Sequence, residues 1–155
     1  MRYVIAFSSP KRSFLTVEMA AKQAKALGAE IILLRVIPDA NKVGIVAELI
    51  SSDRPVDKAT SQINEVVAKL TAQGIKASGI VKVGEVAKTI VQSAIDLKAD
   101  LLFVGTTSVG GQSFFLMGKD PIVHYLVDHS PISLCLVRHD SGEGEAGEAE
   151  LDSDL

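Results

Sequence analysis

Five short apolar runs rich in β-branched residues alternate along the chain with segments whose apolar residues recur every three to four positions. The first kind of pattern is typical of buried strands and the second of amphipathic helices, so together they predict the order β-α-β-α-β-α-β-α-β. Parallel neighbours need helical crossovers, and this order therefore predicts an open, doubly wound α/β fold with a five-stranded parallel sheet and helices on both faces. The predicted strands are Tyr3–Phe7, Glu30–Ile37, Lys76–Val83, Leu101–Val104 and Ile132–Val137.

The helices are predicted from four apolar stripes with the 3.6-residue period. In chain order the stripes are Phe14-Val17-Ala21-Ala24-Leu27, Ile63-Val66-Val67-Leu70, Val86-Ile90-Ala94-Leu97 and Ile122-Tyr125-Leu126-His129. Gly28 and Gly74 follow the first two, as glycine commonly follows a helix end. The fourth strand is uniformly apolar, which predicts a central position, whereas the interrupted third strand is expected near a sheet edge. Pro38–Pro55 is irregular, and we predict one short helix within it, at Val43–Ile50.

Charge is unevenly distributed along the chain. Residues 140–155 contain seven acidic and no basic residues, so residues 1–139 carry a net charge of about +4 although the whole chain carries −3. A segment composed mainly of Gly, Glu, Ser and Asp buries too little apolar surface to fold alone. We therefore expect one folded domain over residues 1–139 and a disordered, solubilising acidic tail over residues 140–155.

Composition also disfavours several classes of protein. No apolar run approaches the roughly 18–20 residues that span a bilayer, and we interpret the N-terminal run as a first strand rather than a signal peptide. Cys135, the only cysteine, excludes an internal disulfide, fits a cytoplasmic protein and is expected in the core. A modestly basic body without a basic-aromatic stripe does not indicate nucleic-acid binding. His124 and His129 are five residues apart, which is not the spacing of a zinc-binding helix.

The segment after the fourth strand, Gly105 to Gly118, carries the clearest candidate chemistry. Ligands of open α/β sheets bind beyond the carboxyl ends of strands, where the strand order reverses. This segment has small hydroxylated residues and a Gly110-Gly111 pair that would let the backbone approach a ligand closely. Asp120 is the expected N-cap of the following helix, with Pro121 at its first position, and a helix start is a natural phosphate site.

Several segments in the right order resemble the universal stress protein family. They are Ala99-Asp100-Leu101-Leu102-Phe103-Val104-Gly105-Thr106, the spacing from Gly105 to Gly118, Val83-Gly84-Glu85-Val86, and Ser130–Arg138 as the closing strand. The resemblance covers residues 2–138. It implies the strand order 3-2-1-4-5, a homodimer formed through strand 132–137, and, in one branch of the family, binding of ATP or a related adenine nucleotide.

The chain departs from the nucleotide-binding motif of that family at three places. Gly105 and Gly118 match the first and third motif glycines, but Ser108 stands at the second. Lys119 replaces the phosphate-binding Ser or Thr, with Asp120 beside it, and Ser8 replaces an Asp that contacts the adenosine moiety. A lysine offers a point charge to phosphate, whereas Asp120 would repel an anion and compete for the same amides. Lys11 and Arg12, just past the first strand, add positive charge to the predicted crevice.

Two functional hypotheses follow. In the first, a cytoplasmic regulatory homodimer senses ATP or AMP between the loops after strands one and four; the binding residues would be Ser8, Val36, Gly84, Val104, Gly105, Thr106, Ser108, Gly118, Lys119 and Asp120. In the second, the pocket binds no nucleotide, and strand five and the apolar run Phe114–Met117 dock protein partners. An enzyme is not indicated, because no Gly-x-Ser-x-Gly elbow or catalytic base accompanies the serines.

Overall fold

A computed structural model describes residues 1–39, 54–107 and 120–139 of the chain. The predicted helix at Val43–Ile50, most of the Gly105–Gly118 segment, the run Phe114–Met117 and the acidic tail lie outside these residues. The strands are β1 (Arg2–Ala6), β2 (Glu30–Pro38), β3 (Ala77–Gly84), β4 (Leu101–Thr107) and β5 (Leu134–His139). The helices are α1 (Phe14–Leu27), α2 (Pro55–Ala72), α3 (Val86–Asp96) and α4 (Pro121–His129).

The five strands form one parallel sheet in the order β3-β2-β1-β4-β5, as the resemblance implied. β1 and β4 lie at the centre with continuous buried runs, and Leu102, Phe103 and Val104 are buried, which confirms the central position predicted for the fourth strand. β3 is an edge strand, as its interrupted apolar pattern predicted. Its Gly79 lies against the Cγ2 of Ile63, so that the missing Cβ leaves room for α2 to pack on the strand.

Two apolar cores sandwich the sheet. α1 and α2 cover one face, where Ile5, Leu33 and Phe103 meet buried residues of both helices. α3 and α4 cover the other, where Val4, Leu34 and Leu102 pack on Ile90, Ala94 and Leu126. The first two crossovers therefore lie on one face and the last two on the other, and the direction of winding changes between β1 and β4.

The helix ends follow the sequence closely. α1 ends at Gly28, which adopts a left-handed conformation with φ 69° and donates its N–H to the Ala24 carbonyl. Leu27, assigned to the buried stripe from its spacing, is 62% exposed, because it belongs to the last turn, beyond the sheet contact. The predicted apolar stripe of α4 is also corrected: Leu126 is its only buried residue, Ile122 is partly buried, and His129 is exposed.

The amino-terminal edge of the sheet is held by polar contacts around Arg2. Its Nε donates to Glu30 Oε1 at 2.6 Å, its Nη1 donates to the Leu97 carbonyl at 2.5 Å, and its backbone N–H donates to Asp100 Oδ2 at 2.7 Å. Lys76 Nζ lies 3.7 Å from the second Glu30 oxygen. The hydrogen bond from Arg2, and then the charges of Arg2 and Lys76, outweigh burial and hold the pKa of Glu30 below its usual value. This cluster, Arg2-Glu30-Lys76-Asp100, is called the amino-edge cluster below.

Candidate functional site

The carboxyl ends of the strands form the opposite edge, and a crevice is expected there between β1 and β4. After β1 the chain turns to α1 on one face, whereas α4, which follows β4 in the described part of the chain, packs on the other. Such a reversal separates the two connections and leaves space above the strand ends, which is where open α/β sheets bind ligands.

The structure brings most of the predicted site residues to this edge. Ser8 follows β1, Val36 is buried near the end of β2, and Gly84 ends β3 opposite Pro38. Val104, Gly105 and Thr106 lie in the second half of β4, in register with Leu136, Val137 and Arg138 of β5. Gly84 is three strands away from β4, about 14 Å at the usual strand spacing. Ser108, Gly118 and Lys119 lie outside the described residues.

The hydroxyl of Ser8 is already engaged within the chain. The Ser8 backbone N–H donates to Ser13 Oγ at 2.9 Å, and the two hydroxyl oxygens lie 3.2 Å apart. Ser13 is buried and stands at the N-cap of α1, yet its side chain makes no hydrogen bond to the helix amides. The Ser8–Ser13 contact therefore shapes the turn after β1 and leaves the start of α1 without a side-chain cap.

The start of α4 differs in this respect. Asp120 is its N-cap, as predicted, and Asp120 Oδ1 accepts hydrogen bonds from the N–H groups of Ile122 at 2.9 Å and Val123 at 3.3 Å. Pro121 follows at the first helical position. A carboxylate that already satisfies these amides neutralises the positive end of the helix dipole, so the start of α4 is a poor place for a phosphate group.

Gly105, which matches the first glycine of the family motif, is required by packing. A Cβ on this residue would lie 2.6 Å from Thr16 Oγ1 and 2.9 Å from His139 Nε2. These two atoms are themselves 3.5 Å apart and link α1 to the end of β5. Thr16 is only 1% exposed, so its hydroxyl is out of reach of a substrate and acts as a packing group.

Arg35 of β2 is a charged residue that the sequence analysis did not single out. By strand alternation its side chain shares the α1–α2 face with Leu33. Its Nε is buried and has no hydrogen-bond partner. Burial, and secondarily the charge of Arg12 in the turn after β1, lowers the pKa of Arg35. The available signal was a cationic residue inside the apolar run Glu30–Ile37.

Other candidate chemistry is sparse in the described part of the chain. It contains no group of three or more His, Cys, Asp or Glu side chains that could hold a metal ion. His124 and His129 are exposed on α4, where His124 Nε2 lies 3.6 Å from Asp128 and His129 Nδ1 lies 3.0 Å from the Tyr125 carbonyl. Cys135 is partly buried against the α1–α2 core, and this burial raises its pKa.

No helix within residues 1–39, 54–107 and 120–139 combines the length and apolar character needed to cross a bilayer. These features together define an open α/β domain whose parallel sheet reverses its winding direction between β1 and β4. The model of the universal stress protein family matches residues 1–138, and the chain belongs to this family.

Several solved structures share this fold. A universal stress protein from Archaeoglobus fulgidus in complex with dAMP is 14% identical, with 88% of this chain and 97% of that chain covered and a TM-score of 0.67. One from Arabidopsis thaliana with AMP bound is 15% identical, with 96% and 98% covered and a TM-score of 0.65. Another, in complex with cAMP, is 19% identical, with 88% and 96% covered and a TM-score of 0.64. No match was found among curated proteins.

Proposed function

We propose that this protein is a regulatory binding protein that senses an adenine nucleotide, ATP or AMP, at the carboxyl edge of its sheet. The observation that carries the proposal is the change of winding direction between β1 and β4, because open α/β sheets bind ligands at the carboxyl ends of strands where the strand order reverses. The similar structures solved with dAMP, AMP and cAMP support an adenine nucleotide as the ligand.

In this proposal the base and ribose lie over the ends of β1, β2 and β4. Val36 would supply an apolar contact, and the backbone of Val104, Gly105 and Thr106 would supply polar contacts. Ser108, Gly118 and Lys119 complete the proposed site, with Gly84 at its far margin. Ser8 would contribute through its position in the turn, since its hydroxyl is bonded to Ser13.

Thermal unfolding with and without ATP, AMP and cAMP tests the proposal. A ligand that binds only the folded state, at a hundredfold excess over its Kd, stabilises by about 2.7 kcal/mol. We expect a concentration-dependent rise of the unfolding temperature with at least one of these nucleotides and none with a matched concentration of GTP. If no adenine nucleotide produces a rise, the sensor proposal fails.

A second candidate function, docking of protein partners through β5, is favoured by a specific surface. β5 pairs with β4 on one side only among the described strands. Leu136 is 45% exposed, and Val127 on the neighbouring helix α4 is 55% exposed. An open strand edge beside exposed aliphatic side chains is typical of an interface, and we propose that it forms a homodimer.

The oligomeric state of Leu136→Asp tests the dimer proposal. Leu136 is a better position than Leu134, because Leu134 packs against the α3–α4 core and a charge there would also affect folding. We expect a monomer by sedimentation, with an unchanged circular dichroism spectrum. Leu15→Asp, an exposed aliphatic position on α1, is the matched control and should stay dimeric. A folded, dimeric Leu136→Asp protein would exclude this interface.

We also propose that the protein acts in the cytoplasm by binding rather than by catalysis. The cytoplasmic part is supported by the single cysteine, Cys135. The non-catalytic part is supported by the engagement of Ser8 with Ser13 and by the burial of Thr16 beside His139. Neither hydroxyl is both exposed and next to a base. Steady release of phosphate from ATP, removed by a site substitution that keeps the fold, would contradict the non-catalytic part of the proposal.

A further inference from the structure

Arg35 carries a positive charge that the described residues do not neutralise. Its guanidinium keeps its charge at any physiological pH, and a partly buried charge is costly unless it is paired and hydrogen-bonded. The Nε of Arg35 has no hydrogen-bond partner, and no acidic side chain of the described residues forms an ion pair with it. Most buried polar groups in folded proteins are satisfied, so an orphan of this kind needs an explanation.

The surroundings of Arg35 increase the positive potential. Arg12 lies close enough that its charge disfavours the charged form of Arg35. Within the described residues Arg12 likewise forms no ion pair with a carboxylate. Two neighbouring like charges repel, and an anion bound between them would add an attraction to each that offsets the repulsion.

The position of the two arginines is also suited to a ligand. Arg35 lies three residues before Pro38, the last residue of β2. Arg12 lies in the turn after β1, at the same edge of the sheet. α1 begins directly after this turn without a side-chain cap, because the Ser13 hydroxyl accepts from Ser8. The uncapped helix start adds to the potential of the arginines rather than opposing it.

We propose that Arg12 and Arg35 form a binding site for a phosphate group on the α1–α2 side of the carboxyl edge. A phosphate carries a charge of about −1.5 to −2 near neutral pH and presents several acceptor oxygens, which matches two guanidinium forks. The site takes inorganic phosphate or the phosphate of a nucleotide, and the second case rests on the proposed function. It differs from the start of α4, where Asp120 occupies the amides.

Isothermal titration with inorganic phosphate, at constant pH and ionic strength, tests the site. We expect Arg35→Met to weaken binding by roughly tenfold or more, since a charge-assisted hydrogen bond is lost. Arg12→Met removes an exposed cation without disturbing the core and should weaken it in the same direction. Arg2→Met removes the same charge at the opposite edge and should bind phosphate like the unmodified protein. If the unmodified protein does not bind phosphate, or Arg35→Met and Arg12→Met bind it unchanged, the site does not exist.

Titrations with AMP and adenosine distinguish the sources of the phosphate. Binding of AMP that is tighter than that of both phosphate and adenosine, and is weakened in Arg35→Met, supports a nucleotide phosphate in this site. Phosphate binding that depends on Arg35, without any binding of AMP beyond it, supports a site for free phosphate and contradicts the nucleotide proposal. If Arg35→Met binds both AMP and inorganic phosphate as the unmodified protein does, the nucleotide proposal stands and this one is overturned.

Discussion

Arg2 lies on β1 at the amino edge of the sheet, and Arg35 lies on β2 at the carboxyl edge. The two arginines differ in their hydrogen bonding. At the amino edge, Arg2 donates to Glu30 and to the Leu97 carbonyl, and Lys76 approaches the same carboxylate. At the carboxyl edge, Arg35 has a buried Nε without a partner and a second arginine nearby. The comparison indicates that the charges of the amino-edge cluster serve the fold, whereas those of the carboxyl edge are available to a ligand.

A second contrast lies within the carboxyl edge, between the starts of α1 and α4. α4 begins with a carboxylate on its first amides, and α1 begins with its N-cap hydroxyl turned to the preceding turn. A family motif that directs attention to the loop before α4 therefore does not identify Arg12 and Arg35. These two residues lie in the turn after β1 and near the end of β2.

The largest expected loss of stability is that of Gly105→Ala. This substitution tests whether the contacts of Gly105 with Thr16 and His139 hold the carboxyl edge together. Gly105→Ala places a Cβ 2.6 Å from the buried Thr16 hydroxyl and 2.9 Å from His139. We expect a loss of about 2–3 kcal/mol in the free energy of unfolding, because α1 and β5 would have to move apart. Urea denaturation measures it.

Gly84→Ala is the matched control for this substitution. The three atoms nearest to a Cβ there all belong to the side chain of Thr89, whose hydroxyl lies 2.7 Å away and can rotate aside. We expect a loss of less than about 1 kcal/mol. Equal losses of unfolding free energy in Gly84→Ala and Gly105→Ala would mean that the Thr16–His139 contact does not constrain β4.

The next effect concerns pH and the amino-edge cluster. The folded-state pKa of Glu30 lies below its unfolded value, so its contribution to stability is complete above the unfolded pKa and is lost as the pH falls through the folded pKa. The unmodified protein should therefore lose more stability between neutral pH and about pH 3 than Glu30→Gln does. Two parallel curves of unfolding free energy against pH would show that the cluster contributes nothing.

The smallest stability effect is expected at Asp120. Asp120→Ala removes the hydrogen bonds to the amides of Ile122 and Val123 and should cost about 1 kcal/mol. The proposed phosphate site lies at Arg12 and Arg35, so Asp120→Ala should change the affinity for inorganic phosphate by no more than about twofold. This is well below the roughly tenfold loss expected for Arg35→Met. A large gain of phosphate affinity in calorimetry would place the anion at the start of α4 instead.

Much of the fold was predictable because its signals are local. The long apolar runs predicted every strand of the sheet within three residues at each end, and Gly28 marked the end of α1. β4 extends to Thr107, past the predicted end at Val104, because Gly105-Thr106-Thr107 pair with β5, a contact distant in sequence. β5 begins at Leu134 rather than Ile132, since the Ser130 hydroxyl bonds to both backbone groups of Ile132 and closes a turn there.

The candidate site was predictable only in part. Strand ends and turns placed Ser8, Val36 and Gly105 at one edge, because parallel strands end together. The engagement of the Ser8 hydroxyl by Ser13 and the contact of Gly105 with Thr16 and His139 depend on tertiary packing that no local pattern contains. For the same reason the sequence could show that Arg35 interrupts an apolar strand, but not that its Nε would lack a partner.

The most direct test of the contrast between the two edges is the free energy of unfolding of Arg2→Met and Arg35→Met, measured side by side in urea without phosphate or nucleotide. Arg2→Met should lose about 1–2 kcal/mol, because it leaves Glu30 and the Leu97 carbonyl without their donor. Arg35→Met should be as stable as the unmodified protein or more stable, since it removes an unpaired, partly buried charge. A loss in Arg35→Met as large as that in Arg2→Met would show that both arginines serve the fold, and would contradict the account.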